Sequence, residues 1–456
     1  MNMAHWGASL RSPNTSLAAG AQEARAPTTG LSTIDRVVVI DDYSVARGGA
    51  TALAIRAAQL LADAGLRVTY ICGDKGDEGA LAASGIELVA LGGADLLNAD
   101  RVTAVLNGVH NRPAAAAISA WIAKNDSPAT LYHVHGWSKI LSPSVFEALS
   151  PVASRCLVHA HDFFSACPNG AFYDYTRQET CTRTPLGFDC LKTACDKRSY
   201  THKIWRSVRG ANLFLQLRRR QAFGRLVMLH DKMTGYFERS GYDADRLVTI
   251  RNPAAPYTRE RVRAEDNSEF FFIGRLDPEK GVADAVAAAG RAGVRLCIIG
   301  DGPLRAELEK AGDHVRFLGW RSHAEIADAI KSARAVIMPS RYPEPFGLVA
   351  VEAAASGVPV ILPASAFLAE EMTELGFALS FDGANQQSMV SALQALDRMP
   401  SEDVRVMSEQ AFASAPSLFN RPEDWRDALV AAYAAMLSPA AAEVVRSKGF
   451  TEQSPI

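Results

Sequence analysis

Residues 335–361 read AVIMPSRYPEPFGLVAVEAAASGVPVI, and this stretch decides the fold. A short apolar strand, Ala335–Met338, breaks at Pro339-Ser340 and passes through the Pro-Glu-Pro turn at Pro343-Glu344-Pro345. A helix is expected to start near Phe346-Gly347 and to end at Ser356-Gly357, with a second strand over Val358–Leu362. Proline before a helix and glycine just past its end are its start and stop signals. Strand, turn, helix and strand in this order make one unit of a parallel sheet. They aim a helix N-terminus, with its unpaired N–H groups, beyond the carboxyl edge of the strand. Such an end attracts anions, and Gly347 in the first turn lets a phosphate reach the backbone with no Cβ in the way.

Two carboxylates bracket the turn. Glu344 stands in it, and Glu352 lies further along the helix among Leu348, Val349, Val351 and alanines. A carboxylate on so apolar a helix is either solvated on a surface or needs hydrogen-bond partners inside. Paired sugar hydroxyls suit the second case.

Outward from this unit the same alternation recurs. Strands are expected at Arg36–Ile40, Arg67–Cys72, Ile86–Leu91, Thr130–His135, Arg155–Ala160, Arg225–Leu229 and Arg246–Ile250, with helices such as Ala46–Ala64 and Leu96–Val109 between them. After a proline- and arginine-rich connector the alternation restarts at Glu269–Ile273, Val294–Ile299 and His314–Leu318. Repeated strand–helix alternation implies parallel sheets covered on both faces. The expected class is therefore α/β, with two Rossmann-like doubly wound domains facing each other across a cleft. The first spans 31–251, with a cysteine-rich and basic insertion over 163–224. A hinge follows at 252–268, then a second domain at 269–421. A last helix at 422–437 crosses back toward the first domain, and loose tails lie at 1–30 and 438–456.

The chain has 456 residues, a formal net charge of −2, 48% hydrophobic and 21% charged residues, and a pI near 6.6. These are the proportions of a globular protein of more than one domain, and the overall charge balance does not suggest a nucleic-acid binder. No apolar run reaches the ~18 residues of a membrane-spanning helix, and residues 1–30 lack the apolar core of a secretory signal. A cytoplasmic location is expected, with the seven cysteines kept reduced.

In open parallel sheets ligands bind beyond the carboxyl ends of the strands. The loops there hold Asp41–Gly49, His135-Gly136 and His161-Asp162 in the first domain, and Gly274–Gly281, Gly300–Pro303, Gly319–Arg321 and Pro339–Gly347 in the second. Arg275 can clamp a phosphate with two parallel hydrogen bonds, and Lys280 adds a point charge. With the helix N-terminus at Phe346–Leu348 they would surround a diphosphate without a metal.

The set G-R-L-x-x-E-K-G (Gly274–Gly281), I-G-D-G-P (Ile299–Pro303), F-L-G-W (Phe317–Trp320) and P-S-x-x-P-E-P-F-G-L-V-x-x-E (Pro339–Glu352) resembles the donor half of the retaining family 4 glycosyltransferases of GT-B fold. The resemblance runs from about Arg36 to Trp425 and is most specific in the second domain. It implies that Arg275 and Lys280 neutralise the diphosphate of a nucleotide-sugar donor and that Glu352 holds the ribose. Glu344, with the N–H groups of Phe346, Gly347 and Leu348, holds the sugar and phosphate. Gly302 and the Gly319–Arg321 turn border the base. Gly48-Gly49, opening a helix after the first strand, matches the family's acceptor-side Gly-Gly loop. His161 matches its His-Asp, with His135 a second histidine nearby. The implied reaction is retaining transfer to a hydroxyl acceptor, a polysaccharide or lipid-linked oligosaccharide of a bacterial polysaccharide pathway, with no cofactor.

Four cysteines, Cys167, Cys181, Cys190 and Cys195, follow His161-Asp162 closely. They leave two readings, a structural zinc site or reduced structural thiols. The segment Lys197–Arg225 is dense in Lys and Arg with apolar residues interleaved. It reads as a helix for an anionic membrane surface or as a solvated face, with nucleic acid a poor third. That would make the protein peripheral on the inner face of the membrane. The chain departs from the family at Pro363–Leu368, where a Gly-Gly is common, and at His230, where a small hydroxyl residue is common. Asp41–Gly49 lacks the G-x-G-x-x-G of a dinucleotide oxidoreductase. A nucleotide-sugar epimerase and a non-catalytic nucleotide-sugar binding protein remain as the alternatives.

Overall fold

A computed structural model describes residues 31–77, 79–219 and 223–438; the tails expected at 1–30 and beyond Ser438 lie outside them. Nine strands precede the connector: β1 (Arg36–Asp41), β2 (Arg67–Cys72), β3 (Glu87–Ala90), β4 (Thr130–Val134), β5 (Cys156–His159), the short antiparallel pair β6 (Tyr173–Asp174) and β7 (Glu179–Thr180), β8 (Arg225–Met228) and β9 (Leu247–Thr249). Six follow it: β10 (Glu269–Ile273), β11 (Leu296–Ile299), β12 (Val315–Gly319), β13 (Ala333–Ile337), β14 (Val360–Pro363) and β15 (Ala378–Phe381). The first sheet runs β3-β2-β1-β4-β5-β8-β9 and the second β12-β11-β10-β13-β14-β15. Every pairing in both is parallel.

The central strands read as unbroken apolar runs because helices cover both faces. Val37, Val38, Val39 and Ile40 are fully buried, as are Ala333, Ala335 and Val336. In each sheet the order reverses beside the first strand, so β1 and β4, like β10 and β13, part their outgoing loops into a crevice.

Two helix starts differ from the sequence expectation. The first helix is Gly49–Asp63, beginning after Gly48 rather than at Ala46. The third-strand helix begins at Arg101, where the Asp100 carboxylate accepts from the N–H groups of Val102 and Thr103. Aspartate competes for backbone donors and so sets the cap. The helix of the quoted stretch is Leu348–Ala355, with Gly347 as its cap at φ 72°, so Pro345 stands in the turn and not in the first helical position. The edge strand β15 and the pair β6–β7 were not anticipated; both are short and half polar, with little apolar pattern.

The Pro422–Leu437 helix lies against the first domain, burying Trp425, Leu429 and Tyr433 with Val37, Val39 and Leu61. The chain thus passes between domains twice, and the two passes meet. Asn420 N–H donates to the Asn252 carbonyl (3.1 Å) and Ala254 N–H to the Asn420 carbonyl (3.4 Å). An apolar contact continues beside them, where Phe163 and Tyr236 of the first domain meet Phe367 of the second. The departures noted in the sequence meet there too. His230 lies 2.7 Å from Glu371, whose carboxylate also takes two hydrogen bonds from Arg251 at 2.9 and 2.8 Å.

Candidate active site

A cavity of about 550 Å³ opens between the two sheets. Two helix N-termini face it from opposite domains, through Gly48, Gly49 and Thr51 on one side and Phe346, Gly347 and Leu348 on the other. They approach so closely that a Cβ placed on Gly49 would sit 3.8 Å from Leu348 Cδ1. A Cβ on Gly347 would meet Met338 Sδ at 2.8 Å, so both space and the left-handed φ call for glycine there.

His161, Arg275, Lys280 and Glu344 line the same cavity. Lys280 Nζ donates to Glu344 Oε2 and to the Tyr342 hydroxyl, each at 2.8 Å. Ser340 Oγ donates to the same carboxylate oxygen at 2.8 Å. Burial pushes the Glu344 carboxyl up, but the Lys280 charge and the Lys280, Ser340 and Tyr342 hydrogen bonds outweigh it and hold the group below its usual range. Lys280 is placed by Gly281, whose φ is 69° and whose added Cβ would lie 1.9 Å from the Pro339 carbonyl oxygen. The loops Gly274–Gly281 and Pro339–Gly347 therefore touch through a glycine. Arg275 is largely exposed at the cavity mouth and paired with Asp277 at 2.8 Å.

Glu352 and Gly302 do not line this cavity. Glu352 is desolvated, which raises its carboxyl to about 7 against the pull of a hydrogen bond with Tyr257. Gly302 packs against the Leu276 backbone, where a Cβ would come within 2.8 Å of the nitrogen.

His135, His159 and His161 stand on the first-domain wall, with the fully buried His133 behind them. His133 and His135 leave β4, and His159 and His161 leave β5, the neighbouring strand. Alternation puts each pair on one face. His161 Nε2 is 2.9 Å from His135 Nδ1, and His133 Nε2 is 3.2 Å from His159 Nδ1. His133 Nδ1 reaches the Tyr433 hydroxyl at 2.7 Å. Burial lowers all four, His161 to about 3, so the imidazoles are neutral. His133, His135 and His159 offer three ring nitrogens within 4.8 Å of one another, the one such set of potential metal ligands among the described residues. The signal for this array was in the sequence, as the repeated H-x-H at 133–135 and 159–161. Asp41 closes the same wall. Its Oδ1 accepts from Tyr43 N–H and Thr51 Oγ1, and its buried Oδ2 has no partner. Burial and the neighbouring Asp42 push its carboxyl up to about 8.

The four clustered cysteines surround a second, small cavity of about 10 Å³, together with Lys203, Arg183 and Asn169. All four are buried and unbridged. Lys203 Nζ lies 3.3 Å from Cys190 Sγ, Asn169 Nδ2 3.5 Å from Cys195 Sγ, and Arg183 Nη1 3.7 Å from Cys181 Sγ. The insertion also touches the second domain, through Lys197 and Glu279.

Two nucleotide-fold domains with parallel sheets facing a common crevice constitute the GT-B fold, and solved structures of that architecture superpose over nearly the whole chain. Sucrose-phosphate synthase from Thermosynechococcus elongatus matches with a TM-score of 0.63 at 19% identity, covering 91% of this chain and all of that one. Anabaena Alr3699/HepE in complex with UDP matches at 0.60 and 17%, covering 90% and 100%. Residues 256–413 match the family model described as Glycosyl transferases group 1. Among curated relatives, the glycogen synthase of Mycobacterium tuberculosis is 33% identical over 225 residues, 45% of this chain and 51% of that protein. The D-inositol 3-phosphate glycosyltransferase of Mycolicibacterium smegmatis is 30% identical over 234 residues, 47% and 50%. These matches span about half the length of the relatives.

Proposed function

We propose that this protein is a glycosyltransferase that moves a sugar from a nucleotide-diphosphate donor to a hydroxyl acceptor with retention of anomeric configuration. One observation carries the reading: Lys280, Glu344, His161 and two facing helix N-termini share a single interdomain cavity. A cation and two sets of peptide dipoles around one crevice suit a diphosphate leaving group. The matched second domain and the relatives' names support transfer from a nucleotide sugar.

In this mechanism the diphosphate lies between Gly49 and Gly347, with Lys280 and Arg275 neutralising charge as the glycosidic bond breaks. Arg275 exchanges Asp277 for phosphate. Glu344, held ionised, accepts from donor sugar hydroxyls, and Glu352 accepts from the ribose. Neutral His161 hydrogen-bonds the sugar near its reactive carbon. The departing phosphate oxygen takes the acceptor proton, so the acceptor oxygen attacks on the face the leaving group vacates. No metal enters these steps. Opposed carboxylates of the glycosidase kind do not form part of the scheme. A lipid-linked oligosaccharide of a bacterial polysaccharide pathway is the proposed acceptor class.

The test begins with a panel of nucleotide sugars screened for thermal stabilisation, since a ligand bound only by the folded state raises stability by mass action. The stabilising donor is then assayed for nucleoside diphosphate release. Release that requires an acceptor, with a product of unchanged anomeric configuration, is the expected result. Epimerised donor without acceptor, or binding without turnover, would replace the proposal with one of its alternatives.

A structural zinc held by Cys167, Cys181, Cys190 and Cys195 is proposed for the insertion. The shared cavity and three nitrogen donors that would offset the charge of four thiolates support it; the sulfurs would have to close in around the ion, since among the described residues only His133, His135 and His159 already stand as a ligand set. Metal analysis of the purified chain is expected to find about one zinc per molecule; its absence removes the idea.

A further inference from the structure

The helix Tyr200–Leu213 and the turn that follows it are built inside out. Tyr200, Ile204, Val208 and Leu215 are 43–53% exposed and fall on one stripe, while Lys203, Ser207 and Arg209 of the same segment are buried. The inward charged groups have partners, while the buried Ser207 hydroxyl has none among the described residues. Lys203 reaches Cys190, Arg206 pairs with Asp196 at 3.1 Å, and Arg209 donates to the Ser138 carbonyl at 2.9 Å. A neighbouring helix, Arg101–Val109, extends the apolar surface with exposed Val105 and Leu106. The two helices are locked together, because Trp205 Nε1 donates to the Val105 carbonyl and Asn212 Nδ2 to the Val109 carbonyl. Of the thirteen large hydrophobic side chains exposed among the described residues, ten belong to residues 97–215. Isolated surface hydrophobics are ordinary, but a concentration on two joined helices marks a contact surface.

We infer that this surface docks the protein on an anionic lipid bilayer, with the Tyr200–Leu215 stripe entering the headgroup layer. The inference rests on the transferase reading only for its purpose, which is to bring the site to a membrane-borne acceptor. Charge selects the occupant. Residues 197–220 carry no Asp or Glu, and of their eight Lys and Arg Lys203, Arg206 and Arg209 are taken up by inward partners. Arg101, Lys192 and Arg198 are exposed, and Lys197 is exposed but paired with Glu279, against the carboxylates Asp100 and Asp189. An apolar stripe within a basic field fits anionic lipid. A second copy fits worse, because a two-fold interface would set the same basic segments against each other. The inward face of the helix holds Ser138, which lines the interdomain cavity. Docking by the outward face therefore places the acceptor-side wall of the cleft one helix thickness from the bilayer.

Flotation of the full chain with phosphatidylcholine vesicles, with and without phosphatidylglycerol, tests this without donor or acceptor. Failure here is thus distinct from failure of the transferase reading. The expected result is flotation only with phosphatidylglycerol, weakened by salt. Ile204→Asp with Val208→Asp is expected to lower the bound fraction at least about tenfold, with unchanged melting and unchanged donor stabilisation. Val105→Asp with Leu106→Asp, on the other helix, provides the same test should the first pair fail to fold. No flotation of the unaltered chain overturns the inference. So does equal flotation of folded variants, or a concentration-dependent dimer that the variants abolish while vesicles are ignored.

Discussion

Lys280→Ala separates what this lysine does for the fold from what it does for the reaction. Its ammonium is shared by Glu344 and Tyr342 at 2.8 Å, with the two charged side chains 27% and 14% exposed. Removing one partner of a fully buried pair costs about 3–5 kcal/mol. The residual exposure here reduces that to about 2–3 kcal/mol at neutral pH. The sign of the pH dependence should invert. In the unaltered protein the Glu344 carboxyl lies below its ordinary 4.5 because Lys280 and its hydrogen bonds outweigh burial. The folded state then releases its proton more readily than the unfolded one. The resulting stability is present above the unfolded value and lost as pH falls through the folded one. Without Lys280 burial dominates, the folded state holds the proton more tightly, and stability falls as pH rises from about 5 to 8. Adding Glu344→Gln removes the uncompensated charge and should restore about 1–3 kcal/mol. Transfer should not recover with it. Loss of a cation at the leaving group lowers kcat by about 10²–10³, and the double variant lacks a sugar contact as well. The assay pairs urea unfolding at several pH values with donor turnover in all three variants. Additive stabilities, or Lys280→Ala turning over donor within a few-fold of the unaltered protein, would refute the reasoning.

Glu352, raised to about 7 by burial, should make nucleotide affinity rise with pH between about 5 and 7, because ribose hydroxyls bind the ionised form. Calorimetric titration should show proton release on binding, and Glu352→Gln should remove that part of the pH dependence. Gly281→Ala forces a Cβ against the Pro339 carbonyl at a left-handed φ and should cost about 3 kcal/mol in urea unfolding. It should also weaken donor stabilisation, since it parts the two loops. His161→Ala should lower kcat by about 10² or more while leaving the melting temperature within a few degrees. An unchanged rate would remove His161 from the site.

Much of the architecture was legible from the residues alone. Val37–Ile40 and Ala335–Ile337 are apolar on both faces, and only a sheet covered on both sides buries such runs. Gly347 and Gly281 were visible as glycines in the loops at the sheet edge, but their left-handed φ came only from the structure. The weakly patterned β15 was missed because burial there comes from neighbours and not from its own composition. The His133–His159 and His135–His161 contacts were equally out of reach, although each H-x-H pair was in view. Their meeting depends on β4 and β5 being adjacent and in register, which no local spacing encodes. The inverted helix Tyr200–Leu213 makes the same point from the other side. Its sequence announced charge and apolarity, but packing decided which face turned inward, because Cys190, Asp196 and Ser138 wait there for Lys203, Arg206 and Arg209. Local chemistry thus determined the elements and the loops that carry function; long-range contact decided which of those loops share a cavity.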